Sequence, residues 1–275
     1  MSLFTWGAVG LVIVIVAVVV AISQSSSTTT KDIFFKAQPV NGTLLHEITH
    51  VPASTFNKVG TGITGQVNVP VVVPGQALLK VDGKPAIFGL YGEFCPYCAA
   101  ERWAIIASLS RFGTFTGLKT MQSSSLDVYP KTPTFTFKTA KYSSPYLSAE
   151  LVELYGQEKA TGRRPVLKRP TKSELSIMSK YDKGSTTRSG TIPFMDIGNK
   201  VFFPGSSYSP NLLQGLTRTT IAASLKDPNN TLTKIILGVA NYISASICAI
   251  DGGKPGSVCS SGGVQAAAKA LKLKI

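Results

Sequence analysis

The residues best suited to chemistry in this sequence are two cysteines separated by two positions, in the run Cys95-Pro96-Tyr97-Cys98. Two thiols at this spacing can pass between a dithiol and a disulfide by exchange with another protein, and the thiolate is the form that attacks. The motif therefore predicts a thiol-disulfide oxidoreductase that acts on protein thiols or disulfides and uses no cofactor.

The elements around the motif determine which cysteine reacts first. Residues 84–91 form a run typical of a buried strand, and residues 99–112 carry apolar side chains at helical spacing. The motif is therefore expected at a strand-to-helix junction, where unpaired backbone amides stabilise a thiolate. We expect Cys95 to be the nucleophile and the more buried Cys98 to resolve the mixed disulfide. Pro96 suits the first helical turn, where its missing N–H has no partner.

Two other interpretations of the cysteine pair stay open, a zinc half-site and an inert disulfide. A structural zinc site needs two more soft ligands at matching spacing. The remaining cysteines, Cys248 and Cys259, are separated by ten residues. No metal is therefore expected at the motif.

A second part of the expected site is Ile192-Pro193, followed by strand-like residues 195–197, a turn at 198–200 and a second strand-like run at 201–203. This is the pattern in which a cis-proline faces the CxxC sulfurs and opens a hairpin. It would leave the backbone of Ile192 free to pair with a substrate strand. We therefore place Pro193 with the catalytic cysteines, and Ile192, Pro96 and Tyr97 in the active-site loops. The alternative is an ordinary edge proline.

The sequence around these motifs resembles a known family. The runs that carry the resemblance are residues 83–88, 91–104 (with Cys-Pro-Tyr-Cys-Ala-Ala-Glu-Arg-Trp), 110–115 and 127–137. They are similar to archaeal membrane-anchored proteins classed as a domain of unknown function with a thioredoxin-like core. The resemblance implies an α/β, thioredoxin-like fold and a disulfide-exchange activity, but no particular substrate.

The spacing of the motifs predicts a large insertion in that fold. Pro193 lies about 95 residues after Cys98, so we place an insertion at about residues 118–189. Within it we expect a hairpin at 118–142 and helices at 148–159 and 171–182. C-terminal helices at 211–225 and 232–247 are expected to cover the sheet.

The second cysteine pair, Cys248 and Cys259, brackets a stretch with several glycines and a proline. This pattern predicts a disulfide that closes a short loop. Structural disulfides occur in oxidising compartments. We therefore expect the domain at residues 37–275 to lie outside the cytoplasm.

The N-terminus predicts a single-pass membrane anchor. Residues 3–22 are apolar apart from Thr5 and carry no charge, which is the length that a transmembrane helix needs. The anchor is therefore assigned to residues 1–22 and a polar stalk to residues 23–36. A cleavable signal peptide is the alternative.

Two kinds of sequence feature disagree about the side of the membrane on which the domain lies. Lys31 and Lys36 oppose an external location by the positive-inside rule. The glycosylation sequons at Asn41 and Asn229 agree with it. Together with the expected disulfide, they favour a glycoprotein of the cell membrane with its C-terminal domain extracytoplasmic.

The charge of the chain does not indicate a nucleic-acid partner. Lys and Arg number 28 against 14 Asp and Glu, which gives a net charge of +14. The excess arises because acids are scarce, and the densest basic run, residues 162–172, lacks interleaved aromatic residues. We interpret that run as a solvated loop.

The run His46-Glu47-Ile48-Thr49-His50 matches the H-E-x-x-H pattern of zinc proteases. Pro52 follows it closely, and the available third ligands are Glu93 and Glu101, which belong to the CxxC segment. A solvent-facing amphipathic segment is the better interpretation.

A non-catalytic role is the main alternative to oxidoreductase activity. In that case the chain would be a thioredoxin-like subunit or assembly factor of a membrane complex, with an idle CxxC. The insertion and the C-terminal helices would then cover Cys95.

Overall fold

The computed structural model describes residues 35–158, 161–181 and 191–275. These residues form a mixed sheet with helices on both faces. The expected anchor at residues 1–22 and most of the expected stalk lie outside these residues. In chain order the elements are β1 (Gln38–Pro39), α1 (Gly42–Thr49), α2 (Ala53–Val59), β2 (Val71–Val72), β3 (Lys80–Val81), β4 (Lys84–Gly92), α3 (Pro96–Leu109), β5 (Thr114–Thr116), β6 (Lys119–Gln122), β7 (Pro133–Thr136), β8 (Lys141–Ser143), β9 (Ser148–Tyr155), α4 (Lys172–Tyr181), β10 (Phe194–Ile197), β11 (Val201–Pro204), a 3-10 turn (Pro210–Leu213), α5 (Arg218–Ser224), α6 (Thr231–Asp251), α7 (Gly256–Cys259) and α8 (Gly262–Leu271).

The central strand of the main sheet is β4, which has a partner on each side. On one side β9 runs parallel to it. On the other side β10 runs antiparallel, followed by β11 and then by β2 at the edge. The order across the sheet is therefore β9, β4, β10, β11 and β2, and β3 forms a hairpin with the start of β4. Two smaller sheets join β1, β6 and β7, and β5 and β8.

The side chains of β4 alternate between two hydrophobic clusters, one on each face of the sheet. Ile87 and Tyr91 belong to the larger cluster, to which α3 and α6 contribute. Phe88 and Leu90 belong to the smaller cluster, which Met178 of α4 completes. Successive residues of a strand point to opposite faces, so a strand that is covered on both faces must be apolar throughout. The strand predicted at residues 84–91 is confirmed.

The helix expected at residues 99–112 is present as α3, but it starts three residues earlier and has no polar face. All of its residues are buried except Tyr97. It packs against α6, where Ser108 and Ser244 share a hydrogen bond of 3.0 Å between their hydroxyl oxygens. On another side, the indole N–H of Trp103 donates to the carbonyl of Pro133, the first residue of β7. Because neighbours surround α3, no polar face is required.

The prediction of a helix at residues 148–159 was wrong, since residues 148–155 form strand β9. The two glutamates of β9, Glu150 and Glu153, are three residues apart, which imitates helical spacing. In the strand, Val152 and Leu154 lie in the smaller cluster while Leu151 packs on the larger one. The segment expected to be an insertion at residues 118–189 thus contains a strand of the main sheet.

Several other expectations for the elements are confirmed. The hairpin expected at residues 118–142 includes the antiparallel pair β6 and β7, and the helix expected at 171–182 is α4. The hairpin after Pro193 is β10 and β11. The C-terminal helix at 232–247 lies within α6. The segment at 211–225 is divided into the 3-10 turn and α5.

Helix α6 is the long core helix of the described residues. It begins at Asn230, whose side chain accepts hydrogen bonds from the backbone N–H groups of Leu232 and Thr233. It ends at Gly252, which has a φ of 77°. Within the part of the chain that the structure describes, it is the one helix long and apolar enough to cross a membrane, and its apolar window is mostly buried inside the protein.

Candidate functional site

The two cysteines of the motif lie at the junction of β4 and α3 and have different environments. Cys95 is the N-cap of α3, and its sulfur accepts the backbone N–H of Cys98 at 3.2 Å. Pro96 occupies the first turn of the helix. Cys95 is 5 % exposed and Cys98 is 0 % exposed, and both are free thiols in this structure. Cys95 is therefore the more accessible sulfur and has amide donors beside it.

The electrostatic environment separates the two thiols further. The hydrogen bond from the Cys98 side chain lowers the pKa of Cys95 below its ordinary value, and the backbone N–H groups of Cys98 and Tyr97 and the charge of Arg102 act in the same direction. Burial raises the pKa of Cys98 well above its ordinary value. The thiolate is thus favoured at Cys95 and disfavoured at Cys98.

The loop before β10 contacts the first cysteine. The peptide bond between Ile192 and Pro193 is cis. The Cys95 thiol points to the carbonyl oxygen of Ile192 at 3.9 Å. The structure thus brings together Cys95, Cys98, Ile192 and Pro193, which are about 95 residues apart in the sequence.

A buried ion pair lies behind the motif. The Arg102 guanidinium is 0 % exposed and donates to both carboxylate oxygens of Glu153, at 3.0 and 2.7 Å. It also donates to the carbonyl of Gly92 at 3.0 Å. That carbonyl accepts the N–H of Cys95 at 3.2 Å as well. Arg102 is therefore connected to the backbone of Cys95 through one shared acceptor.

Two further acidic side chains are buried beside the motif. Burial raises the pKa of Glu101 to about 7, although the backbone N–H and the hydroxyl of Ser207 both donate to its carboxylate. Burial also raises the pKa of Glu93, which accepts a hydrogen bond of 2.8 Å from Thr136. Both carboxylates therefore have hydrogen-bond partners within the protein.

A groove of about 450 Å³ adjoins the motif. Tyr97, the residue between the proline and the second cysteine, lies at its edge and is 40 % exposed. Its ring meets that of Tyr129 edge-on, with centroids 5.8 Å apart. Ile192 also lines the groove, together with residues of the loop after β11. The groove thus connects Tyr97 and Ile192, which the sequence predicted as active-site loop residues, with the loop after β11, which it did not predict.

A comparison with protein-family models matches residues 75–249 to a domain of unknown function (DUF929). The matched segment is more than half of the chain and contains the CxxC, the buried ion pair and Pro193. The chain belongs to the DUF929 family. No curated protein and no solved structure matches it.

The second cysteine pair of this DUF929 chain forms the expected disulfide. Cys248 in α6 and Cys259 in α7 are bonded, with their Cα atoms 5.6 Å apart, and both are buried. The bond connects the last turn of α6 to the short helix that follows the turn at Gly252 and Gly253. Cys259 lies beyond the segment that matches the family.

The H-E-x-x-H run lies in and just after α1, a helix that buries Leu44 and Ile48. His46 and His50 are exposed, and their rings stack with centroids 4.4 Å apart. Glu47 pairs with Lys226 at 2.8 Å. Among the described residues, no group of three or more His, Cys, Asp or Glu side chains could hold a metal ion. The amphipathic interpretation of this run agrees with the structure.

Both glycosylation sequons lie on the surface of the described part of the chain. The side-chain oxygen of Asn41 caps α1 by accepting the N–H of Leu44 at 2.8 Å. Asn229 lies just before α6. Glycosylation at either asparagine stays a prediction.

The sequence analysis missed Arg102, Glu153 and Tyr91 as parts of the site. One signal was available for Arg102, because it and its neighbour Glu101 are the two charged residues of α3, about one turn after Cys98. Glu153 had no such signal, since its segment was expected to be helical. The pairing of β9 with β4 is what brings it to Arg102.

Proposed function

We propose that this DUF929 protein is a membrane-anchored, extracytoplasmic thiol-disulfide oxidoreductase that acts through Cys95 and Cys98. The observation that carries the proposal is the asymmetry of the pair. The sulfur of Cys95 accepts a backbone N–H at the start of α3, whereas Cys98 is fully buried behind it. An attacking thiol and a resolving thiol need these two environments.

The exchange proceeds in two steps. The Cys95 thiolate attacks one sulfur of a client disulfide, so that a mixed disulfide forms and the other client sulfur leaves as a thiolate. Cys98 then loses its proton and attacks the sulfur of Cys95, which breaks the mixed disulfide and releases the second client thiolate. Two electrons pass from the dithiol to the client, and the two thiol protons end on the client. The reverse sequence oxidises a client dithiol.

The proposal includes a thioredoxin-like core for the sheet. The strand order β9, β4, β10 and β11 supports it, with β9 parallel to β4 and the other two strands forming an antiparallel hairpin. The position of the CxxC after β4, and of Ile192 and Pro193 before β10, supports it as well. The segments between α3 and β9, and between β9 and β10, are then two separate additions to that core.

The location and the partners are parts of the same proposal. The buried disulfide between Cys248 and Cys259 supports an oxidising compartment, and the apolar run at residues 3–22 supports an anchor in the cell membrane. The clients are protein thiols or disulfides that reach the groove beside Tyr97.

A trapping experiment tests the proposal. Replacing Cys98 by serine removes the resolving thiol, so the full-length C98S chain is expected to accumulate client proteins as mixed disulfides on Cys95. These are detected as reductant-sensitive bands on non-reducing gels of cell membranes. The matched control is C95S, which is expected to capture none.

One observation favours the alternative, a non-catalytic subunit or assembly factor of a membrane complex. Only 5 % of Cys95 is exposed, so access to its sulfur is narrow. Under this alternative, neither C98S nor C95S captures clients, and Cys95 of the folded chain does not react with a small disulfide. Those two results together would contradict the oxidoreductase proposal and support the non-catalytic role.

A further inference from the structure

The buried guanidinium of Arg102 is held in place from several directions. Glu153 binds its Nε and Nη2 atoms, and Nη2 also donates to the carbonyl of Gly92. The rings of Tyr91 and Phe137 each lie 5.9 Å from its central carbon. A side chain with this many contacts cannot turn away from the motif, so its charge has a fixed position.

One nitrogen of Arg102 is left without an acceptor. Nη1 makes no hydrogen bond within the described residues, and neither does the hydroxyl of the fully buried Tyr91. A buried N–H group of a charged side chain that has no acceptor is costly to a fold. The cost suggests that a negatively charged group forms nearby during the working cycle of the protein.

The sulfurs of the motif are the groups that can supply this charge. Arg102 lies one helical turn after Cys98 in α3, and Gly92, to which it donates, also accepts the N–H of Cys95. Besides the dominant hydrogen bond from Cys98, the charge of Arg102 lowers the pKa of Cys95. It also counteracts burial, the dominant effect, at Cys98.

The other titratable side chains around the motif are acidic or neutral, apart from Lys138 and Arg164. The Arg164 guanidinium lies over the ring of Phe94, the residue before Cys95, at 3.5 Å from its centroid, and it pairs with Glu158. Glu93 follows β4, Glu101 lies in α3 and Glu153 lies in β9, while Tyr91 lies in β4. Burial raises the pKa of Glu93 and that of Glu101, and burial raises that of Tyr91 as well. Lys138 acts on Glu93 from the segment after β7.

Arg102 itself stays charged. Burial lowers the pKa of its guanidinium, but Glu153 and the two cysteine sulfurs raise it by more, so that the net direction is upward. Glu153 approaches Arg102 from β9, so the group of the ion pair that faces the motif is the positively charged guanidinium.

We propose that Arg102 is a positioning residue of the redox pair, which stabilises the negative charge that Cys95 and Cys98 carry in turn during disulfide exchange. This inference rests on the proposed function, and it assigns a role in disulfide exchange to the buried ion pair. It predicts that the thiolate becomes less stable when the charge of Arg102 is removed. The reduced form of the pair then becomes less stable relative to the disulfide.

Three variants of the full-length chain separate charge from packing. R102Q/E153Q removes both charges but keeps groups that can hydrogen-bond to Gly92 and to the N–H of Phe137, which Glu153 accepts at 3.1 Å. R102K keeps the positive charge. E153Q keeps Arg102 and removes its counter-ion.

The measurement is the pH dependence of Cys95 alkylation in detergent-solubilised protein, together with the equilibrium of the pair in glutathione buffers. For R102Q/E153Q we expect the alkylation midpoint to rise by about one pH unit and the equilibrium to move about tenfold towards the disulfide. R102K is expected to stay near the wild type, and E153Q to shift the midpoint downward. Thermal unfolding checks that each variant is folded.

An unchanged midpoint in folded R102Q/E153Q would overturn the inference. So would an equal upward shift in R102K, since the effect would then come from packing and not from charge. If R102Q/E153Q does not fold, the downward shift expected for E153Q, set against an unchanged midpoint in R102K, still decides. Failure of the wild-type pair to form a disulfide in glutathione buffers would instead overturn the proposed function.

Discussion

At the scale of single residues, the candidate site combines a thiol whose pKa is lowered with buried acids whose pKa values are raised. Hydrogen bonds from Cys98 favour the charged form of Cys95. Burial favours the protonated form of Glu101, and also that of Asp196, whose pKa is raised to about 7. The native state therefore binds protons at pH values at which the unfolded chain has already released them.

This difference predicts how stability changes with pH. Glu101 has an ordinary pKa of 4.5 in the unfolded chain and about 7 in the fold. Its contribution is therefore full below pH 4.5 and is lost as the pH rises to about 7. The loss for one such group is on the order of 3 kcal/mol. We expect E101Q to be more stable than the wild type at pH 8 and to show a weaker decline between pH 4.5 and 7.

Urea unfolding at a series of pH values measures this effect. The matched control is E150Q, because Glu150 is an exposed carboxylate on β9, and its profile should follow the wild type. Asp196 is unchanged in both variants, so the loss of stability that its own titration causes is expected to remain. Identical profiles for E101Q and the wild type would show that Glu101 is ionised in the fold.

At the scale of elements, the packing of α6 depends on a close approach between two glycines. A Cβ atom on Gly238 would lie 2.7 Å from the Cα of Gly62 and 2.8 Å from its nitrogen, which are backbone atoms. Gly62 has a φ of 81°, in the region that favours glycine. The loop after α2 can therefore rest directly on α6.

Gly238→Ala is expected to lower the free energy of unfolding by about 1–3 kcal/mol, because the loop backbone must move away from the helix. Chemical denaturation of the full-length variant measures the change. The control is Gly42→Ala in the first turn of α1, where nothing lies within 4 Å of the added Cβ and a small gain is expected. An unchanged stability for G238A would contradict this packing.

How far these elements follow from the sequence depends on whether their signals are local. The strand β4, the helix α3 and the hairpin after Pro193 are local patterns, and each was predicted near its observed place. The strand β9 was not, because Glu150 and Glu153 are three residues apart and imitate helical spacing. Arg102 and Glu153 meet only through β9, so the buried ion pair could not be predicted before that strand was placed.

At the scale of the whole molecule, residues from distant parts of the chain meet at one end of the sheet. The CxxC follows β4, Ile192 and Pro193 precede β10, and Glu153 comes from β9. The family match covers all of these elements. The disulfide between Cys248 and Cys259 lies in the C-terminal helices. We therefore propose that Cys95 and Cys98 exchange with clients, whereas the bond between Cys248 and Cys259 has a structural role.

The most direct test of this account is residue-by-residue alkylation of the folded, full-length protein across a range of pH, followed by mass mapping. We predict that Cys95 reacts at a lower pH than free cysteine, which titrates at about 8.5. Over the same pH range, Cys98 should stay unmodified, and Cys248 and Cys259 should stay linked to each other. Reaction of Cys98 before Cys95, or a folded protein whose Cys95 does not react at all, would contradict the account.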